Sequence, residues 1–422
     1  MTKKFLKFPD NFLWGTATSA HQIEGGCNNN DWSHQALKKY INKIPWADKV
    51  IKNIPDAGIA CDSWRRYQED IELAKNLHIK LYRFSIEWSK IEPHNGEFDQ
   101  TALNDYKKIL ISLKKEGFVI MLTLHHFTNP IWTAEFGGWE KKKMIKYFLR
   151  YTKKVVAEFG DLVDFWVTIN EPGGYAFCSY GIGQWVPLKT NKFKMAIVFK
   201  NLIKAHKQSY KLIHHVIKDK FNKFPQVGIA NDLQAYSNYR KHNLVEQIKV
   251  YFIYNFSNHL FYKLTNIKTH DFLGVNYYFE VRTHKQFNTK TKNDISVKHE
   301  DRHLTDTEWV IYPRGIYDVL YDLSDYKKPI YITENGIATE DDEVRIRFIK
   351  EHLEEIYYAI KAGIDIRGYC YWSLLDNFEW AAGYRPKFGL VSVDSKSQNR
   401  QLKASAKFYS KTAEANGLWW NY

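Results

Sequence analysis

The chain has 422 residues, of which 44% are hydrophobic and 16% aromatic, so it is able to bury a large core. No segment approaches the ~18 consecutive apolar residues that a membrane span requires, and residues 1–10 are basic without the apolar run of a signal peptide. The four cysteines are scattered, with neither C-x-x-C nor metal-ligand spacing. We therefore expect reduced thiols in a cytoplasmic protein that does not contact a membrane.

The formal net charge of +14 raises the question of a nucleic-acid partner. A nucleic-acid site would gather lysines and arginines in a stripe with aromatic residues between them. Here they are spread over most of the chain, and runs such as residues 141–155 place lysines beside apolar side chains at helical spacing. That spacing is typical of the solvated face of an amphipathic helix, so the charge predicts no nucleic-acid function.

Short apolar segments alternate with amphipathic ones from the first residues to the last. The predicted strands, in chain order, cover residues 13–18, 81–86, 119–124, 165–169, 227–230, 272–275, 330–333 and 368–371. The predicted helices that follow them cover residues 67–77, 102–115, 141–159, 194–218, 244–264, 315–323, 343–362 and 402–413. No linker-like or low-complexity tract interrupts this order, so we expect one domain over residues 1–422.

Eight strand-then-helix units with no strand left over predict a parallel sheet closed into a (β/α)8 TIM barrel, an α/β fold. Barrels of ~250 to more than 400 residues exist as single domains. An open, doubly wound sheet of eight strands is the alternative. A G-x-G-x-x-G turn after the first strand would favour that alternative, and the sequence has none.

Polar or aromatic residues follow the carboxyl end of every predicted strand. In chain order they are Gln22, Glu87, Trp88, His125, His126, Asn170, Glu171, Asn231, Asp232, Asn276, Tyr278, Glu334, Asn335 and Trp372. In a barrel all eight ends meet at one rim, where barrel enzymes carry their active sites. A polar residue at one strand end is ordinary loop composition, but eight such ends together predict a shared pocket.

Two carboxylates stand out because each directly follows an apolar strand. Glu171 ends the fourth strand and Glu334 ends the seventh, so only the fold brings them together. These strands lie three positions apart around the ring, which places the two residues on facing sides of a narrow mouth. Facing carboxylates suit cleavage of a glycosidic bond, in which one protonates the leaving oxygen and the other attacks or supports the anomeric carbon.

The segments around these carboxylates, T-I-N-E-P and I-T-E-N-G, resemble the two characteristic stretches of glycoside hydrolase family 1, the β-glucosidase family. The similarity continues through residues 12–25, 82–86, 276–278 and 372–380, in the order of the family. The resemblance implies a retaining exo-β-glycosidase that acts by double displacement. It implies a β-glucosidase first, with β-galactosidase and β-fucosidase activity as further options.

The resemblance also implies roles for particular residues. Glu171 would be the acid/base, with the amide of Asn170 near the 2-hydroxyl of the sugar, and Glu334 would be the nucleophile. Arg83 and Tyr278 match the partners of the nucleophile, which they would keep ionised. A retaining mechanism predicts carboxyl groups ~5–5.5 Å apart. The chemistry needs no metal and no organic cofactor.

A second group of residues matches the sugar-binding positions of the family. It comprises Gln22, His125, Asn276 and Glu379 as polar contacts, Trp372 and Trp380 as stacking platforms, and Phe388 as a pocket wall. Each tryptophan would more often be a core residue if considered alone, and His125 alone would more often be a core histidine or a surface residue. Glu24, Asp376 and Trp14 are expected to be scaffolding at the barrel mouth.

Glu379 bears on the substrate, because relatives that act on 6-phosphorylated sugars tend to lack this carboxylate. The intact residue predicts a non-phosphorylated glycoside. Two segments depart from the commonest family pattern, His126 in place of a frequent Trp and residues 181–187. Both are expected near the aglycone side.

Two alternatives share the barrel. A non-catalytic sugar-binding protein would tolerate loss of one carboxylate, and both are present. A transglycosidase would use the same glycosyl-enzyme with an alcohol in place of water, and the sequence leaves it open. The preferred glycone, the aglycone and the oligomeric state are also left open.

Overall fold

The computed structural model describes residues 3–238, 244–283 and 304–421. Eight parallel strands form a closed barrel at its centre. They are β1 (Leu13–Ala17), β2 (Leu81–Ser85), β3 (Val119–Thr123), β4 (Phe165–Asn170), β5 (Gln226–Asp232), β6 (Leu273–Asn276), β7 (Ile330–Asn335) and β8 (Ile366–Trp372). Each predicted strand is confirmed, with its ends displaced by about two residues at most.

The strands follow one another around the barrel in chain order, and the ring closes where β8 pairs with β1 in parallel. The open, doubly wound alternative is therefore wrong, and the predicted TIM barrel is confirmed. Closure also removes sheet edges, so no strand of the barrel is left with an unpaired row of backbone groups.

The strands are apolar because both of their faces are buried. Side chains such as Met121, Val167 and Cys370 point into the barrel, where they form an inner core with Ala17 and Phe272. A larger cluster of buried side chains fills the space between the strands and the surrounding helices. The barrel interior is thus packed below the rim, so an active site can form only at the carboxyl ends of the strands.

Helices surround the barrel as the sequence predicts. The helices that follow the strands are Ser63–Asn76, Gln100–Lys115, Lys143–Phe159, Lys192–Phe221, Leu244–Tyr254 with Leu260–Thr265, Pro313–Ser324, Asp342–Lys361 and Ala404–Glu414. Two predictions needed correction. The first helix begins four residues earlier than predicted, and the predicted helix 244–264 is interrupted by a π-helical turn at Asn255–His259.

The loops at the carboxyl ends of the strands carry short helical segments. They are Ala20–Ile23, His34–Lys39, Ala47–Asn53, Trp88–Ile91, Ile131–Ala134, Gly138–Glu140, Pro172–Ala176, Phe177–Gly181 and Trp380–Ala382. A further short helix, Ile267–Thr269, precedes β6. Two strand pairs join other loops: Ala235–Asn238 runs parallel to Glu280–Thr283, and Val391–Val393 runs antiparallel to Arg400–Leu402.

The two ends of the chain meet at the amino end of the barrel. Strand Lys3–Lys7 pairs antiparallel with strand Gly417–Asn421. Trp14 lies beside this pair, where its indole Nε1 donates to Asn416 Oδ1 at 2.9 Å. The expectation that Trp14 supports the barrel mouth was wrong, because residue 14 stands near the amino end of β1, opposite the end that carries the pocket.

Candidate active site

Glu334 lies near the carboxyl end of β7, with its carboxylate held from two sides. Its Oε1 accepts from Arg83 Nη1 at 2.5 Å, and its Oε2 accepts from the hydroxyl of Tyr278 at 2.5 Å. Arg83 is completely buried on β2 and forms an ion pair with this carboxylate. Burial and the nearby carboxylates of Glu334 and Glu171 raise the pKa of Tyr278 well above its usual value, so the phenol remains a donor.

Glu171 follows β4 directly and adopts a left-handed backbone conformation, with φ of 44°. Such a conformation is costly for a residue with a side chain, and it clusters at functional sites. The Oε1 of Glu171 accepts from Asn276 Nδ2 at 2.8 Å. Desolvation first, then the negative charges of Glu334 and Asp232, raise the pKa of Glu171 well above its usual value, against the opposing effects of Asn276 and Arg83.

A continuous hydrogen-bond network joins the two carboxyl groups. Arg83 Nη2 donates to Asn170 Oδ1 at 2.6 Å, and Asn276 Nδ2 donates to the same oxygen at 3.1 Å as well as to Glu171. The pairing of β7 with β6 sets Glu334 opposite Asn276. One side of the mouth therefore binds a carboxylate through a cation and a phenol, whereas the other side favours a protonated carboxyl group.

Gln22 and Glu379 form a second polar group at the mouth. Gln22 Nε2 donates to Glu379 Oε2 at 3.1 Å and to Asn377 Oδ1 at 3.0 Å. Ser19 fixes the amide orientation, because its hydroxyl donates to Gln22 Oε1 at 2.6 Å. Desolvation and then the charge of Glu334 raise the pKa of Glu379 to about 8, while Gln22 opposes this shift.

His125 is buried behind the mouth and is oriented by Asn129. Asn129 Nδ2 donates to Asp31 Oδ2 and to the Tyr175 hydroxyl, so Asn129 Oδ1 is left to accept from His125 Nε2 at 3.1 Å. Burial lowers the pKa of His125 to about 4. Trp139 Nε1 lies closer to Asn129 Oδ1, at 2.9 Å, than to His125 Nε2, at 3.4 Å, and so donates to the amide oxygen. The neutral ring then carries its proton on Nε2, and Nδ1, which has no partner in the described ranges, is an acceptor.

His126 lies between the two predicted stacking platforms. Its ring is nearly parallel to those of Trp372 and Trp380, at interplanar angles of 17° and 13°. Its Nε2 accepts from Asn170 Nδ2 at 3.3 Å. Burial, and then Arg83, lower the pKa of His126 well below its usual value. The expectation that His126 lies near the aglycone side stays a prediction.

The remaining predicted residues form the walls of the same mouth. The ring of Phe388 approaches that of Tyr278, with centroids 6.2 Å apart. Within residues 181–187, Trp185 packs against Phe127 at 4.6 Å between centroids and approaches Trp380 at 6.2 Å. The structure thus brings the predicted polar, aromatic and catalytic residues to one end of the barrel.

The scaffolding predictions for Glu24 and Asp376 agree with their contacts. Glu24 accepts from Lys90 Nζ at 2.7 Å and from the hydroxyl of Tyr106 at 2.8 Å. Asp376 Oδ1 accepts from Lys403 Nζ at 2.9 Å and from the amide of Gly389 at 2.8 Å. Both carboxylates are buried and accept hydrogen bonds from protein donors.

Sequence reasoning missed Asn129 and Asn377, which orient His125 and Gln22. Asn377 lies inside the motif that contains Trp372 and Trp380, so its position in that motif was an available signal. Asn129 had a weaker one, since it follows the third strand by several residues and its partner was not identifiable without the fold.

Among the described residues, His21, Cys27 and Glu87 bring possible metal ligands within 4.8 Å of one another. Asn30 Nδ2 donates to His21 Nδ1 at 3.0 Å, because Asn30 Oδ1 already accepts from the backbone amides of Trp32 and Ser33. That bond places the His21 proton on Nε2, so neither ring nitrogen offers a free lone pair. This cluster fits a hydrogen-bonded core better than a metal site.

Comparisons with known proteins agree with this geometry. The sequence model of Glycosyl hydrolase family 1 matches residues 5–265 and 235–418. The chain is 31% identical to β-glucosidase A of Thermotoga maritima, over 98% of this chain and 99% of that protein. No helix in the described ranges is long and apolar enough to cross a membrane.

Solved structures give the same result. The β-glycosidase from Pyrococcus horikoshii is 35% identical, with a TM-score of 0.85, and the match covers 98% of this chain and 96% of that one. The β-glucosidase from Thermotoga maritima in complex with glucoimidazole is 30% identical, with a TM-score of 0.85 over 98% and 100% of the two chains. The chain therefore belongs to glycosyl hydrolase family 1 and is a β-glycosidase that acts on O-glycosyl bonds.

Proposed function

We propose that the protein is a retaining exo-β-glycosidase, with Glu334 as the nucleophile and Glu171 as the acid/base. The observation that carries this proposal is the contrast between the two carboxyl groups. Glu334 is bound by a guanidinium and a phenol, whereas Glu171 accepts one amide hydrogen bond and has a raised pKa. Two carboxyl groups whose environments separate their protonation states provide one acid and one nucleophile.

The first step would form a covalent glycosyl-enzyme. Glu334 attacks the anomeric carbon while Glu171 gives its proton to the departing oxygen, so the glycosidic bond breaks without release of an alkoxide. In the second step Glu171, now ionised, takes a proton from water, and the water oxygen displaces Glu334. Two inversions give a product with the β configuration of the substrate.

Sugar recognition would use the polar residues around the nucleophile and the aromatic walls. Gln22, Glu379 and His125 offer donors and acceptors to the hydroxyls at the rim of the sugar ring. Trp372 and Trp380 offer aromatic faces to its C–H groups. Asn170 and Asn276 would approach the 2-hydroxyl, next to the bond that is cleaved. Because these residues lie at the end of the barrel around the nucleophile, the pocket suits a single terminal glycone.

Glu379 supports a non-phosphorylated substrate. Its carboxyl lies near the negative charge of Glu334, which helps to raise the pKa of Glu379 to about 8. A sugar phosphate beside this carboxyl group would add about two further negative charges. We also propose a cytoplasmic location for a single catalytic domain, in keeping with the four free cysteines.

The proposal is tested with nitrophenyl β-glucoside, β-galactoside, β-fucoside, β-mannoside and 6-phospho-β-glucoside. We expect hydrolysis of the β-glucoside, and of the phosphorylated sugar at least about 100-fold more slowly. Proton NMR of the first sugar released should show the β anomer. Release of the α anomer would rule out the retaining mechanism, and a folded protein inert on every substrate would rule out the proposed activity.

Added methanol separates hydrolysis from transfer in the same assay. A hydrolase gives mostly free sugar, whereas a transglycosidase gives mostly the methyl β-glycoside, because the alcohol intercepts the glycosyl-enzyme. We expect free sugar to predominate in buffer and the methyl glycoside to increase in proportion to the alcohol.

A further inference from the structure

A third carboxyl group lies beside Glu171. Asp232 is the last residue of β5, the strand next to β4, and pairs in register with Asn276 of β6. The backbone amide of Gly174 donates to Asp232 Oδ1 at 3.4 Å. Gly174 lies in the short helix Pro172–Ala176, which begins directly after Glu171. Its position at the end of β5, and its contact with the helix that follows Glu171, therefore place Asp232 near the proposed acid/base.

The space around Gly174 shows how close the two carboxyl groups are. A β-carbon at this position would lie 3.0 Å from Asp232 Oδ2 and 3.5 Å from Glu171 Oε2. Both oxygens thus border the same small volume, which stays open because residue 174 has no side chain. Within the described ranges Asp232 has no ion-pair partner, since Arg83 is engaged with Glu334 and Asn170.

Other titratable groups also face Glu171. Glu334 on β7 and Arg83 on β2 carry opposite charges and bind each other. The phenol of Tyr278 is bound to Glu334, and desolvation raises the pKa of the half-buried Cys178 thiol. Asp232 is thus the carboxyl group near Glu171 whose charge no cation compensates.

This inference rests on the proposed function of Glu171. We propose that Asp232 is a positioning residue whose negative charge keeps the acid/base Glu171 protonated between turnovers. Like charges at short range disfavour the second ionisation of a carboxyl pair. Burial, offset by backbone hydrogen bonds and strengthened by Glu334, raises the pKa of Asp232 to about 7. Asp232 therefore ionises near neutral pH, and Glu171 then loses its proton only at higher pH.

Removal of the negative charge at position 232 should lower the pH at which Glu171 loses its proton. Asparagine at position 232 keeps an acceptor for the Gly174 amide and removes the charge, so the pKa of Glu171 falls. The alkaline limb of kcat/KM, which reports the loss of the acid, should move down by about one pH unit in Asp232→Asn. The shift should appear with phenyl β-glucoside, which needs a proton on its leaving oxygen. It should be absent with 2,4-dinitrophenyl β-glucoside, which does not.

The experiment measures kcat/KM from pH 5 to pH 10 for both glucosides with wild type, Asp232→Asn and Asp232→Ser. The serine variant provides a second uncharged acceptor, so the result does not depend on one variant folding. Asp105→Asn is the matched control, because it removes one negative charge at a surface ion pair with Lys108. Its profile should coincide with that of wild type.

Two results would overturn the proposal. Profiles that superimpose for wild type and both variants would show that the charge of Asp232 does not reach Glu171. A loss that is uniform across pH and equal for both leaving groups would show a structural role. Failure of the proposed function is recognised separately, as wild-type protein that hydrolyses neither glucoside, or as Glu334→Ala that remains active.

Discussion

The two ends of the barrel contain different types of side chain. At the carboxyl end, buried or half-buried titratable groups crowd together: Arg83, Glu171, Glu334 and Glu379. At the amino end, aromatic rings fill the same cross-section. Phe8 packs against Phe12 and Trp14 with centroids 4.9 Å apart in both cases. The carboxyl end thus concentrates charge in a desolvated space, whereas these three rings at the amino end form an apolar cluster.

The polar atoms of the two ends differ as well. At the amino end the Trp14 indole donates to Asn416, whose Nδ2 donates in turn to the carbonyl of Pro9 at 3.0 Å. At the carboxyl end Arg83 Nε and His125 Nδ1 are buried with no protein partner in the described ranges. Unsatisfied polar groups cost stability, and at the carboxyl end such groups lie where a ligand could satisfy them.

Glu334→Ala, at the carboxyl end, should have the largest effect on activity. Removal of the nucleophile is expected to lower kcat/KM at least about 10⁴-fold, as for other residues that form covalent intermediates. The melting temperature should change little, because Arg83 keeps its bonds to Asn170 and to the carbonyl of Thr333. The exposed residue Glu343 provides the control, as Glu343→Ala with wild-type kinetics. Residual activity above about 1% of wild type would contradict the assigned role.

Phe8→Ala, at the amino end, should lower the free energy of unfolding and leave activity nearly unchanged. Phe8 is 2% exposed, and truncation of a buried phenylalanine costs about 3–5 kcal/mol of unfolding free energy. Urea denaturation should show this loss, whereas kcat/KM of the folded variant should stay within about twofold of wild type. Phe224 is 83% exposed, so Phe224→Ala should change stability by less than about 0.5 kcal/mol.

The contrast between the ends also explains what the sequence could predict. Barrel strands are buried on both faces, so β3 and β4 are continuous apolar runs that local composition identifies. Glu171 and Glu334 follow such runs directly, which made them recognisable before the fold was known. For these two residues, the position after an apolar strand in the sequence was enough to predict the position at the mouth of the barrel.

Other features depend on contacts between distant segments. The pairing of Lys3–Lys7 with Gly417–Asn421 joins the two ends of the chain, and the sequence of neither segment indicates which strand it pairs with. For the same reason Trp14 was assigned to the wrong end of the barrel. The neighbours of His126 could not be read from the sequence either, because only the fold shows its ring stacked against Trp372 and Trp380.

Tyr278→Phe gives the smallest effect and the sharpest comparison, since it removes one hydroxyl from the charged end. The lost hydrogen bond to a carboxylate is worth about 1.5–3 kcal/mol, so kcat/KM should fall roughly 10- to 150-fold. Tyr321 is 59% exposed, and Tyr321→Phe serves as the matched control with unchanged kinetics. If Tyr278→Phe lowered stability by several kcal/mol and left kcat/KM of the folded variant unchanged, Tyr278 would be a packing residue, and the proposed division between the two ends would be wrong at this position.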